Sequence, residues 1–430
     1  MVGCCSTGGH LYGTMEVGGS AGAGVVFRMH PDGTDYVVLH AFSAGGYNSD
    51  GFNTNSDGAY PEAGLTASAG TLYGTTVEGG NSDSGTVFRV NTNGTGFTVL
   101  KHFSARVYDP TAGGYVNSDG AFPMAGVTLS SPADVLYGTT ARGGNGDSGT
   151  VFKMFIDGTG YTVLKHFSAL VLDPTSITFY VNDDGANSYG ELTLSGDLSP
   201  VLYGTTTHGG TSGCGTVFRI KTDGTGFNNL HNFTGGDGIT GGDGLSPKGT
   251  LAIAGNEELY GTTAGGGSAG RGTVFKMLKD GRDFTVLKHF SALVNDPTIG
   301  HYVNDDGAGP GGGVILSGNV LYGTASRGGN AMGGLCSSSL RMGPASTCSS
   351  RFPPDGSTVT GPHHPPAWRS PALCSTVRRR VAAVVVAGRC FRSAFSCRVS
   401  NLPSTLPMAT LASQISSSVS PSTVLPVPTC

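Results

Sequence analysis

Six copies of one tetrapeptide, Leu-Tyr-Gly-Thr, begin at Leu11, Leu72, Leu136, Leu202, Leu259 and Leu321 of this 430-residue chain. Self-similarity at a near-fixed period marks a repeat architecture, in which each unit is one supersecondary element that buries its apolar face against the next. The repeat also sets how every other residue is weighed. A His or Asp that recurs at one place in each unit belongs first to the unit, and only second to an active site.

The unit that starts near Gly126 reads as four short β-prone runs. They are Val127–Ser130, Val135–Thr140, Thr150–Met154 and Tyr161–Phe167. Each is rich in β-branched and aromatic residues and is bounded by Gly, Asn or Asp, which supply tight or left-handed turns. No stretch carries a helical period. Four strands followed by an insertion such as Ser168–Ser188 predict a blade of a β-propeller, with the insertion as a loop on one face. A β-solenoid is the alternative, disfavoured because its coils use shorter and stricter periods.

The combined text Leu-Tyr-Gly-Thr-Thr, Gly-Gly, Gly-Thr-Val-Phe and Asp-Gly-Thr-Gly-Phe-Thr-Val-Leu-Lys-His-Phe-Ser resembles the bacterial GloVer tandem repeat of choice-of-anchor proteins. The resemblance covers residues 11–334. It implies a secreted or cell-surface repeat protein with an extracellular protein or glycan ligand, and it brings no catalytic residues with it. Neither a signal peptide nor an anchor is visible in the sequence, and no apolar run is long enough for a membrane span.

Composition divides the chain. Residues 1–334 hold 16 Lys+Arg against 28 Asp+Glu, whereas residues 335–430 hold nine Arg, no Lys and one acid, Asp355. The acidic repeat body disfavours nucleic acid, which demands basic contacts to phosphate. Six of the nine Cys lie after residue 334, and no C-x-x-C pair occurs, so neither a disulfide framework nor a zinc site of usual spacing is expected in the repeats. The segment 335–430, rich in Ser, Pro, Arg and Cys, is expected to be a disordered tail.

That tail also reads as a shifted frame. Gly334-Leu-Cys-Ser337 stands where the register calls for Gly-Thr-Val-Phe. Deleting the A of ACT from GGN ACT GTG TTC gives GGN CTG TGT TCN, which is Gly-Leu-Cys-Ser. In the hidden frame, Cys374–Arg379 permits Leu-Tyr-Gly-Thr-Thr and Ala387–Phe391 permits Gly-Thr-Val-Phe, at the spacing of an intact unit. The expectation is therefore a β-propeller domain over residues 1–334, with five blades plus a partial sixth, cut short by a frameshift. Blade one is expected to lack its first strand, and the sixth to stop after its second, near Arg327. Val314–Ser317 is a candidate to close a five-bladed ring by completing blade one.

Candidate sites are sparse. The glycine-rich turns, such as Gly80–Thr86, lack the Lys of a phosphate loop and lead into strands. His40, His102, His166, His231 and His289 read as equivalent fourth-strand positions making a shared structural hydrogen bond, with His208 and His301 as surface residues. The insertions repeat an acidic turn, Asn-x-Asp-Gly, whose Asp57, Asp119, Asp183, Asp184, Asp305 and Asp306 are weak calcium or ligand candidates, since Asp-Gly also makes turns unaided. Tyr115, Tyr180 and Tyr302 open those insertions and are weak binding candidates, for stacking on sugar or anchoring a partner, against a role as staples to the blade. Glu62, Glu191, Glu257 and Glu258 stand in unlike contexts, so a unique carboxylate pair for glycoside hydrolysis stays open. The function expected is a non-enzymatic binding or structural role, with no cofactor beyond calcium. A polysaccharide-acting propeller enzyme and a calcium-dependent adhesion module are the alternatives.

Overall fold

In the computed structural model, the described residues are 4–49, 53–111, 113–130, 134–173, 180–235, 242–255, 257–297, 300–329, 336–341 and 346–350. Among them there is no helix, and the strands form six four-stranded antiparallel sheets in sequential order. Each sheet is one propeller blade. Blade one is Cys4–Thr7, His10–Met15, Val25–Met29 and Val37–Ala41, and blade two is Thr66–Ser68, Thr71–Thr76, Thr86–Asn91 and Thr98–His102. Blades three to six span residues 128–166, 193–232, 252–289 and 315–350. Two-stranded hairpins stand in the insertions at 46–54, 107–116 and 171–181, and in the last insertion Val294–Asp296 and His301–Ala308 form a three-stranded sheet with Arg327–Gly329.

Every residue of the motif has a packing task. Side chains alternate across a strand, so Leu and Tyr face opposite neighbours. Leu72 packs in a cluster with Tyr12 and Phe42 of blade one, while Tyr73 packs with Leu136 and Phe152 of blade three. The pattern continues as Tyr137 with Leu202, Tyr203 with Leu259, and Tyr260 with Leu321. The motif glycine makes room for the Phe of its own third strand: a Cβ on Gly138 would lie 2.5 Å from Phe152 Cζ. In blades one, two and five the first Thr donates to a carbonyl of the next blade, Thr14 to Ala63 at 2.7 Å, Thr75 to Ala125 at 2.8 Å and Thr262 to Gly312 at 2.8 Å, whereas Thr139 Oγ is buried with no partner among the described residues. The second Thr meets the Thr of Gly-Thr-Val-Phe across the same sheet, Thr76 to Thr86 at 2.8 Å and Thr140 to Thr150 at 2.9 Å.

Three expectations about the ends are corrected. Blade one has its first strand, because Gly8 and Gly9, with φ +56° and +81°, form a two-residue hairpin turn that pairs Cys4–Thr7 with His10–Gly13. Such a turn suits the twist of paired strands and needs no repeat motif. Ile315–Ser317 pairs with Val320–Tyr322 of its own sheet rather than with blade one. The sixth sheet has four strands and extends beyond residue 334, since Cys336–Arg341 pairs with Val320–Ala325 and Ser346–Ser350 pairs with Ser337–Leu340. Backbone hydrogen bonding at an open strand edge accepts many sequences.

The register in that sheet differs from the other blades. Gly74, Gly138, Gly204 and Gly261 each face the Phe 14 positions later, whereas Gly323 faces Ser338, 15 positions later. A slip of one residue exchanges the two faces of a strand. The tail from residue 351 onward, including its expected disorder, lies outside the described residues.

Candidate binding face

In each blade the hairpins between strands one and two, and three and four, lie at one end. The turn between strands two and three lies at the other, with the insertion that enters the next blade. Single bridges tie that turn to the end of the insertion, as Ala59 with Glu78, Ala121 with Arg142 and Ala186 with His208.

The Asn-x-Asp-Gly turn is a clasp. Asn117 Nδ2 donates to Ser104 O at 2.9 Å and Gly120 O at 2.8 Å, and its Oδ1 accepts from Gly120 N and Gly144 N. Asn55, Asn182 and Asn304 hold equivalent carbonyls. The Asp accepts from a Ser at the end of strand four and pairs with a cation. Asp119 takes Ser104 Oγ–H at 2.6 Å and Lys101 Nζ at 2.5 Å; Asp184 takes Ser168 Oγ–H at 2.9 Å and Lys165 at 2.5 Å. Asp57 pairs with Ser43 and, at 3.0 Å, His40; Asp306 pairs with Ser291 and, at 2.6 Å, Lys288. Asp243, which lacks the Asn signature, does the same with Thr234 and, at 2.7 Å, His231. Asp183 and Asp305 are exposed beside this clasp. A calcium ion at these turns would have to displace the lysines and histidines.

The five histidines are not equivalent. His40 and His231 occupy the position of Lys101, Lys165 and Lys288, while His102, His166 and His289 lie one residue later and accept backbone N–H groups of the glycine turn at 3.2–3.3 Å. Asn232 fills that second position in blade four and accepts Thr211 N. Burial lowers the pKa of His40, His102 and His166. Alignment on Phe42 and Phe103 separates the two classes.

Tyr115, Tyr180 and Tyr302 stand on three insertion hairpins and are 53%, 52% and 67% exposed. Tyr115 crosses Tyr108 at 5.5 Å between ring centroids, with Arg106 over its face at 5.9 Å. Tyr47 stands likewise on the first insertion. These four of the five insertions therefore present aromatic or aliphatic side chains to solvent, joined by Val107, Val171, Leu172 and Val294.

Inside the hairpins the repeat breaks. Six positions after the motif Leu stand Val17, Glu78, Arg142, His208, Gly265 and Arg327. Just before the first strand, Glu62, Met124, Tyr189, Lys248 and Gly311 take corresponding places. Burial raises Glu62, and Glu16 adds to it; burial raises Glu78, with Asp83 and Glu62 adding. Lys248 Nζ lies 5.6 Å from the Tyr189 ring centroid. Burial, then Lys248 and Arg142, lowers His208, whose Nδ1 is buried with no partner. Glu191 lies one step deeper, reached by Thr128 Oγ at 3.4 Å, and burial pushes its carboxyl up to about 7. Cys5 on the first strand of blade one is raised to about 11 by burial, and the Glu191 charge of blade four adds to it. Glu258 is elsewhere, at the start of a second strand, bound to Tyr260 OH at 2.6 Å and Lys276 at 3.2 Å. Exposed Glu257 adjoins it. Sequence reading missed Glu16, Glu78, Arg142, Tyr189 and Lys248, although the constant offset from the motif Leu was available to find two of them, Glu78 and Arg142.

The profile of the Gloeobacter/Verrucomicrobia repeat matches residues 6–196 and 173–337. The chain belongs to this repeat family. No curated protein matches the sequence. Among solved structures, this family member is similar to a nidogen/laminin complex, at 14% identity, TM-score 0.39, over 77% of this chain and 89% of that one. It is also similar to a putative 6-phosphogluconolactonase from Bacteroides uniformis, at 14% identity, TM-score 0.41, over 80% and 83%. TolB from Acinetobacter baumannii matches at 12% identity, TM-score 0.41, over 77% and 61%. The sheet order and interblade packing carry the fold without them.

Proposed function

We propose that this GloVer-repeat protein is a non-enzymatic binding module of the cell exterior, and that it holds a glycan at the insertion end of its blades. One observation carries the reading: Tyr47, Tyr115, Tyr180 and Tyr302 stand exposed on insertion hairpins, at the end of the blades where the repeat gives way to unlike charged and aromatic residues. Rigid aromatic faces bury area on sugar rings at low entropic cost. Variation confined to loops on a repeated scaffold is where binding specificity resides. The test is affinity electrophoresis of the full chain through a panel of neutral and acidic polysaccharides. The triple variant Tyr115→Ala, Tyr180→Ala, Tyr302→Ala is run beside it. Retardation by at least one polysaccharide, lost in the variant at unchanged thermal stability, is the expected result. No retardation, or equal retardation of the variant, defeats it. Repeating the run in EDTA separates calcium-dependent adhesion from direct stacking.

A second reading rests on Glu191. A carboxyl poised near neutrality suits a general acid, and Glu62 lies at the same mouth. Release of reducing ends from a retained polysaccharide, abolished in Glu191→Gln, would favour a polysaccharide-acting enzyme over a binding module.

A further inference from the structure

The opposite end of blade one carries a cluster that no other described blade repeats. We infer that His10, His30 and Asp35 form a binding site for a first-row divalent transition-metal ion, of which zinc is the representative.

Strand register brings the histidines together. Leu11 faces Met29 across the antiparallel pair, so His10 and His30 oppose each other one step further along. Their rings stack with centroids 4.4 Å apart. The turn after His30 is held by His30 N–H donating to Thr34 O at 2.8 Å and by Asp32 Oδ1, which accepts from Thr34 N at 2.9 Å and Thr34 Oγ at 2.7 Å. This turn is generic, since Asp157 with Thr159 and Asp223 with Thr225 repeat it. Asp35, the next residue, departs from the repeat. It adopts φ +52° where Gly96, Gly160 and Gly226 stand in the next three blades. A side chain in that conformation is uncommon, although Asp tolerates it better than most residues. From there the carboxylate reaches back toward both rings: Asp35 Oδ2 lies 3.7 Å from His10 Nε2 and 3.9 Å from His30 Nε2.

The donor atoms suit a metal. Ligand atoms from the three residues all fall within 4.8 Å of one another. Two ligands of a tetrahedral zinc at about 2.1 Å stand about 3.4 Å apart, so the two histidine–carboxylate separations need only about 0.3–0.5 Å of closure, and side-chain rotation has to bring the third pair in from at most 4.8 Å. His10 Nδ1 lies 3.2 Å from Gly8 O. A donated Nδ1–H to a backbone carbonyl fixes the tautomer and turns the Nε2 lone pair outward, the usual arrangement behind a ligating imidazole. That lone pair then faces a carboxylate oxygen, an opposition that a shared cation relieves. Two imidazoles and one carboxylate leave a coordination position for water, and the two imidazole nitrogens favour zinc, cobalt, nickel or copper over calcium or magnesium, which take oxygen ligands.

One side chain competes. Arg28 Nη2 approaches the same Asp35 oxygen at 3.5 Å, so the guanidinium must share or yield it. The other blades show that the cluster is not demanded by the fold. At its three positions they carry Thr71, Asn91 and Gly96; Val135, Phe155 and Gly160; Val201, Lys221 and Gly226; and Glu258, Leu278 and Asp283.

The experiment is a cobalt titration of the full chain, stripped of metal and with its nine cysteines alkylated so that thiolates cannot contribute. One equivalent of Co2+ is expected to bind, with visible ligand-field absorption that Zn2+ displaces. His10→Ala and Asp35→Asn should each weaken binding by about tenfold or more, with the strand signal in circular dichroism retained. Should either variant lose that signal, His30→Gln is the substitute, since Gln preserves volume and polarity on an exposed turn. Arg28→Leu should tighten binding by removing the competing cation. Absence of stoichiometric binding, binding indifferent to His10→Ala, or binding weakened by Arg28→Leu would overturn the site and leave an ion-paired histidine stack.

Discussion

The motif glycine offers the sharpest test of how these blades pack. A Cβ at Gly138 would lie 2.5 Å from Phe152 Cζ and 2.9 Å from Cε1, closer than side chains tolerate. Phe152 is fully buried, with Phe103 at 5.7 Å and Tyr161 at 5.4 Å between ring centroids, and it has no free space to retreat into. Overpacking of this kind costs about 1–3 kcal/mol, against a gain of roughly 0.5–1 kcal/mol from stiffening a strand glycine. Gly138→Ala should therefore destabilise by about 1–2 kcal/mol. Phe152→Ala alone should cost about 3–5 kcal/mol. Together the two should cost less than their sum by about 1–3 kcal/mol, because the obstructing ring is gone. Gly323→Ala provides the contrast. Among the described residues, the one atom within 4 Å of a Cβ there is Val314 Cγ1 at 3.3 Å, so the change should stay within about 0.5 kcal/mol. Guanidinium unfolding midpoints at matched slopes measure all four. Equal cost at Gly138 and Gly323, or strict additivity of Gly138→Ala with Phe152→Ala, would refute the packing scheme.

Named contacts predict three other outcomes. Asp119→Ala removes the acceptor for Ser104 and Lys101 and should cost about 2–3 kcal/mol, with faster amide exchange confined to the adjoining insertion. Glu191→Gln should act with a pH sign. Because the folded carboxyl titrates near 7 rather than 4.5, the native state holds the extra proton, and that stability is full below about pH 4.5 and lost as pH rises through 7. The variant should gain about 3 kcal/mol at pH 8 and almost nothing at pH 4, read from melting temperature. Resequencing the codons for residues 325–345 should reveal one missing base that restores Gly-Thr-Val-Phe. An unbroken frame as given would make the Arg- and Cys-rich tail native.

Much of the architecture was legible because the repeat is written in the packing itself. The alternation of Leu and Tyr, the bulky Phe and the Gly opposite it each appear once per unit, so strand boundaries in blade three fell within a residue or two of expectation. The ends were harder. Cys4–Thr7 carries none of the motif, and its pairing comes from the Gly8-Gly9 turn and an open strand edge. Residues 336–341 also pair by backbone, but one residue out of register with the other blades, which is how a strand without the motif Phe meets Gly323. The acidic turns were legible as turns. Their cation partners were not, since Lys101 and Asp119 are separated by an insertion. The mouth was hidden for the opposite reason: its residues differ between units, and attention to what repeats passes over what does not.

Hydrogen–deuterium exchange of the full chain, with and without a retained polysaccharide, most directly tests the central claim that ligand is held at the insertion end. Protection at residues 107–116, 180–191 and 300–303, with the turns at 93–96, 157–160 and 223–226 unchanged, is the predicted result. Protection centred on those turns, or none at the insertions, would contradict it.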